Sequence, residues 1–92
     1  MTNYNGWTNY ATWLVNLEIF DGQDMSEYFS DAFESEETYA LSQHLKDYAT
    51  EVIEINASEG LALDYARAFV SEVNWYEISQ HMIEDYRIEK AA

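Results

Sequence analysis

Cysteine and proline are absent from the 92 residues, glycine occurs three times, and Lys and Arg together number only four. Without cysteine there can be no disulfide, no thiolate metal site and no thiol nucleophile, and the redox compartment leaves no trace in the sequence. The isolated glycines Gly6, Gly22 and Gly60 form no phosphate-cradling loop. Four cations against eighteen Asp and Glu leave a formal net charge of −14. That balance excludes an ordinary DNA or RNA binder, which needs cations to displace condensed counterions, and it disfavours an anionic membrane surface. No apolar run approaches the roughly 18 residues of a membrane span, and the opening Met1-Thr2-Asn3-Tyr4-Asn5-Gly6 lacks the shape of a signal peptide. The expectation is a soluble, cytoplasmic protein.

What the chain does have is apolar and aromatic content. Hydrophobic residues make up 48%, with three Trp, eight Tyr and four Phe, which opposes disorder despite the charge. Residues 1–92 read as a single acidic domain, with residues 1–7 as an N-terminal arm; a fold of this mass should bury roughly 65% of its extended surface. The periodicity is helical nearly throughout and predicts an all-α, compact bundle of about five helices.

The predicted first helix runs over residues 8–20, capped by Thr8 or Asn9, with Tyr10, Trp13, Leu14 and Leu17 on one face and Gly22 as its stop. Val15 and Ile19 lie on the other side, so this helix should be central in the bundle, or else seal a dimer. Ser26 is expected to cap a short second helix with Tyr28, Phe29, Ala32 and Phe33 inward. Ser35 should open the longest helix, to about residue 55, with the stripe Leu41, Leu45, Tyr48, Ala49 and Val52. The β-branched residues 50–55 leave a strand open there. Ser58 can cap a fourth helix that turns Ala62, Tyr65, Ala66, Phe69, Val70 and Val73 to one side. Asn74 begins the fifth, with Glu77 at capping-box spacing and Trp75, Ile78, Met82 and Tyr86 as its stripe.

Catalytic and metal constellations are sparse. There is no G-x-S-x-G elbow. His44 and His81 are the only imidazoles, and neither has Glu three residues before it, as a di-iron bundle requires. An EF-hand starting at Asp21 fails at Met25 and Ser26. His81 follows Glu77 by one helical turn and could form a base or ligand pair, although such pairs are common on plain helix surfaces. No catalytic residue, metal or cofactor is expected.

The distribution of negative charge is more informative. Asp47, Glu51 and Glu54 are spaced i, i+4, i+7, which places them on one helix face, and Glu27, Asp31 and Glu34 repeat the spacing. Like charges at i, i+4 cost about 0.2–0.5 kcal/mol per pair. Such faces can serve solubility alone, or reflect a salt-adapted host. A compact body about 30 Å across would match the length of duplex carrying about 18 phosphates. Fourteen net charges would then approach duplex density, with carboxylates stepping by about 6 Å along each helix.

Two segments carry a resemblance. Asn5-Gly6-Trp7-Thr8-Asn9-Tyr10-Ala11-Thr12-Trp13 resembles the N-G-W-x-N-Y-x-T-W opening of small proteins carried by phages, prophages and plasmids. Val73-Asn74-Trp75-Tyr76-Glu77-Ile78-Ser79-Gln80-His81 is similar to the V-N-W-x-E-I-A-x-H element that closes the same family, with Ser79 in place of Ala. Thr8 or Asn9 and Asn74 suit helix N-caps, and Trp7, Trp13 and Trp75 suit packing between the terminal helices; a partner-binding aromatic surface is the alternative. The resemblance implies a mobile-element setting, where small acidic proteins block restriction systems and CRISPR effector complexes by imitating DNA. The functional expectation is therefore a non-enzymatic acidic inhibitor that occupies a basic nucleic-acid-binding surface of a host defence complex. Glu27, Asp31, Glu34, Asp47, Glu51 and Glu54 would stand in for phosphates. The competing expectation is an interaction module that works through an apolar or aromatic surface, as a homodimer in one version, with charge serving solubility.

Overall fold

The computed structural model describes residues 6–56 and 60–91. Among them every regular element is helical, and the chain forms a small all-α bundle. The helices are α1 (Tyr10–Val15), continued by a π-helical segment (Asn16–Phe20), then α2 (Ser30–Glu34) after a 3-10 turn (Met25–Glu27), α3 (Thr38–Asn56), α4 (Leu61–Val70) and α5 (Trp75–Ala91).

The broadest interface joins α3 to α5. Leu41, Leu45 and Ala49 are fully buried on α3, with Tyr48 and Val52 half-buried beside them, as their spacing predicts. The β-branched residues 50–55 are helical, because the stripe that begins at Leu41 continues through them and buries one side of a long helix. From α5 come Trp75, Ile78 and Ile83, flanked by half-buried Met82 and Tyr86. Phe20, Met25, Ala32 and Phe33 complete the core from the first third of the chain.

The first helix is capped by Asn9, whose side chain accepts from the Thr12 N–H. Its ring contacts and hydrogen bonds reach three other helices: Phe20 meets Tyr48 of α3 and Trp75 of α5, Tyr10 meets Phe69 of α4, and Thr12 bonds the start of α5. The inward face differs from the expected stripe. Ala11, Thr12, Val15 and Phe20 are buried, whereas Tyr10 and Leu17 are nearly half exposed. Two causes account for this. Small Ala11 and Thr12 let α1 approach the start of α5 closely, which bulky Tyr10 and Trp13 would prevent. The π segment then pairs residues five apart, so Phe20 follows Val15 onto the same face. Gly22, at φ 82°, makes the left-handed turn that ends this run.

Residues 24–37 depart furthest from expectation. Asp24, not Ser26, caps the 3-10 turn by accepting from the Ser26 N–H, and α2 begins only at Ser30. Ser35 ends α2 rather than opening α3. The intervening turn places Glu36 at φ 54°, an uncommon conformation for a residue with a side chain. On α4 Val70 is buried and Leu63, Ala66 and Phe69 are half-buried, with Val73 buried just beyond, while Ala62 and Tyr65 face outward. The expected cap at Ser58, and the arm's residues 1–5, lie outside the described residues. The rest of the arm lies against α5, where Trp7 is half-buried.

The accessible surface is 6083 Å². Against the extended chain this corresponds to about 61% buried, slightly under the expected fraction. The bundle is slim, 46 × 33 × 22 Å, which keeps more surface wet than a sphere would.

Candidate functional site

Both terminal motifs meet in one clasp. The Asn9 carboxamide oxygen accepts from the Thr12 N–H and Oγ, at 2.9 and 2.7 Å, and its nitrogen donates to the Glu72 carbonyl at 2.9 Å. The Asn74 N–H donates to Thr12 Oγ1 at 2.8 Å, and Asn74 Oδ1 accepts from the Glu77 N–H at 3.0 Å. The Glu77 carboxylate does not close a capping box on Asn74; it accepts from the Thr8 N–H at 3.0 Å. Trp7 lies on His81 with ring centroids 4.3 Å apart. Asn9 and Asn74 each cap their own helix, while the Thr12 hydroxyl and the Glu77 carboxylate accept backbone N–H groups of the other motif, so all four residues serve structure.

That arrangement bears on the one candidate base. Glu77 is engaged by Thr8, and His81 is packed by Trp7. Among the described residues no hydrogen bond joins the two. His44, the other imidazole, stacks flat on Phe29 at 5.0 Å. Among the described residues no group of three or more His, Cys, Asp and Glu could hold a metal ion, and no helix is long and apolar enough to cross a membrane.

The six acidic candidates are all exposed, but they do not form two equal rows. Asp47, Glu51 and Glu54 share one face of α3 as their spacing requires. Glu27 belongs to the 3-10 turn, while Asp31 and Glu34 lie on the separate α2, so the second row is broken. Glu54 pairs with Arg67 at 2.9 Å, which ties α3 to α4 and partly neutralises the end of its row. Elsewhere Arg87 pairs with Glu36 at 2.7 Å and Glu84 at 3.3 Å. The guanidinium beside Glu36 holds that carboxyl below its ordinary range through hydrogen bonding and charge. Among the described residues these pairs occupy Arg67 and Arg87, and Lys90 lies over the Tyr86 ring at 5.3 Å.

Charge density follows from the shape. Along a 46 Å axis, fourteen net charges amount to about one per 3.3 Å. Duplex DNA carries one per roughly 1.7 Å and a single strand one per about 3.4 Å. The molecule thus has the linear density of one strand, about two-thirds of what a 30 Å sphere implied.

A second surface was not singled out by sequence. Between the start of α1 and the end of α4 runs a groove of about 500 Å³, lined by Tyr10, Ala11, Tyr65, Ala68, Phe69 and Glu72. Tyr65 is 68% exposed, and Tyr10 meets Phe69 edge to face at 6.3 Å. Tyr65, Phe69 and Glu72 stand at i, i+4, i+7, so the pattern was readable, but helical spacing alone does not say whether an aromatic stripe faces core or solvent. A smaller groove of about 340 Å³ lies between residues 22–26 and α5, floored by Met25, Phe33, Met82 and Tyr86.

No curated protein and no solved structure matches the sequence. A family model does: residues 1–90 match that of the Family of unknown function (DUF7249), spanning both motifs of the clasp, and the chain belongs to that family.

Proposed function

We propose that this chain is a non-catalytic acidic binding protein that occupies a basic, nucleic-acid-binding surface of a larger complex in place of a nucleic acid strand. What carries this is the exposed carboxylate face of α3, Asp47, Glu51 and Glu54, with Glu27, Asp31 and Glu34 exposed on separate elements, on a body with the charge density of one strand. An isolated rim charge contributes little, whereas a row steers association and makes it salt-sensitive. The motif resemblance adds a setting: a mobile-element protein acting in the host cytoplasm on a defence complex, a restriction system or a CRISPR effector.

The test is capture from a bacterial lysate on the immobilised chain at low salt, followed by a salt gradient. The expected result is retention of a nucleic-acid-binding complex that elutes as salt rises, and its loss when all six positions carry Gln or Asn. These residues are exposed, so the variant should fold, and circular dichroism checks it. Equal retention by the neutralised variant sinks the proposal.

The exposed apolar residues favour a second reading. Tyr10, Leu17, Leu61 and Tyr65 all stand 43% exposed or more, which suits a module that binds through an apolar or aromatic surface, with a homodimer as one form. Retention indifferent to salt would support it.

A further inference from the structure

The groove between α1 and α4 combines features that the acidic rows lack. Two of its aromatics, Tyr65 and Phe69, sit one helical turn apart on α4, and Tyr10 faces Phe69 from α1. Its floor includes Ala11 and Ala68, small enough to admit a side chain between the rings. Glu72 lies at one end, held within a turn of Phe69 because its N–H bonds the Phe69 carbonyl at 3.1 Å. Its carboxylate makes no hydrogen bond or ion pair among the described residues, and no Lys or Arg lines the groove.

Aromatic rings and an unneutralised carboxylate favour a cation. Apart from Asn9 and Glu72 the lining is aromatic or alanine, which disfavours a compact, strongly hydrated ammonium. A guanidinium is planar, weakly hydrated, stacks on aromatic faces and can pair a carboxylate through two N–H groups. A second copy of the chain fits poorly, since each copy carries a net −14.

We infer that this groove is an anchor site for an arginine side chain of the protein partner, with its stem along Tyr65, its guanidinium against Phe69 and its charge met by Glu72. This rests on the partner being basic, as proposed above, and adds where and by which residue it is gripped. The carboxylate rows would then supply long-range attraction and the groove the residue-level selectivity.

The test titrates the full chain with hexa-arginine and, separately, hexa-lysine, following aromatic ring resonances by NMR. Hexa-arginine should shift the Tyr65 and Phe69 rings saturably, with hexa-lysine requiring several-fold more peptide. Tyr65→Ala and Glu72→Gln should each raise the half-saturation concentration about tenfold. Both positions are exposed, and an unchanged helical spectrum confirms that the variants fold. Rings that do not move, or that respond equally to both peptides, overturn the assignment. The same titration on the triple variant D47N, E51Q, E54Q should still shift these rings; loss of the response there would assign binding to the row and overturn the groove. The lysate capture leaves Tyr65 and Glu72 intact, so the two proposals fail separately.

Discussion

Buried hydroxyls in the two terminal motifs serve opposite ends. Thr12 is fully buried, yet its hydroxyl is doubly satisfied, donating to Asn9 and accepting from Asn74. Among the described residues Ser79, equally buried, has no partner for its hydroxyl, and neither has the Trp75 indole N–H. An unsatisfied buried hydroxyl costs about 1–3 kcal/mol. Ser79 stands where the resembling motif has Ala, and Ala removes the polar atom with little loss of volume. Ser79→Ala should therefore stabilise the protein by about 1 kcal/mol, raising the melting temperature by roughly 4–8 °C for a domain of this size. Thermal circular dichroism reads this directly; a lower melting temperature would mean that the hydroxyl has a partner in solution.

Among the elements, legibility followed length. The stripes of α3 and α5 could be read because each helix is long enough for its apolar spacing to recur, and burial of one face then decides the register. Residues 24–37 were misread because several short pieces, each with its own cap candidate, can be phased in more than one way by Ser and Asp alone. The first helix was recognised but read with the wrong face inward, since bulk suggests burial and only the close approach of α5 selects Ala11 and Thr12. Arg87 shows how tertiary contacts join elements that sequence leaves separate: it links α5 to Glu36 in the turn between α2 and α3. Because the Glu36 carboxyl is held below its ordinary 4.5, its contribution is present above that value and is lost as pH falls through the lowered folded one. Arg87→Gln should lower the urea midpoint modestly at neutral pH. The difference from wild type should shrink as pH falls below that ordinary value and vanish once Glu36 is protonated. A gap that stays constant across this range would show that Arg87 acts through packing, not charge.

For the molecule as a whole, net charge is the dominant uncompensated term. Among the described residues only three carboxylates enter ion pairs, all partly exposed. Self-repulsion should destabilise the fold at low ionic strength. Raising salt shortens the Debye length from about 30 Å at 0.01 M to about 3 Å at 1 M, so the melting temperature should climb by several degrees over that range. A flat or falling profile would indicate that the carboxylates are placed far enough apart for repulsion to be negligible.

The sequence by itself determined the helical class, the acidity and the cap at Asn74, because these depend on local spacing, composition and nearest-neighbour hydrogen bonds. It also showed the triad Asp47, Glu51 and Glu54 as one face, since a single helix carries all three. Only the tertiary structure decided that the terminal motifs clasp each other, that Glu27 leaves the line of Asp31 and Glu34, and that an aromatic groove opens beside Glu72. Each of these depends on how separate helices approach, and helical periodicity describes a helix against an unspecified core. The charge of −14 belonged to the sequence; its density of one strand, not two, follows from the 46 Å length that packing produced.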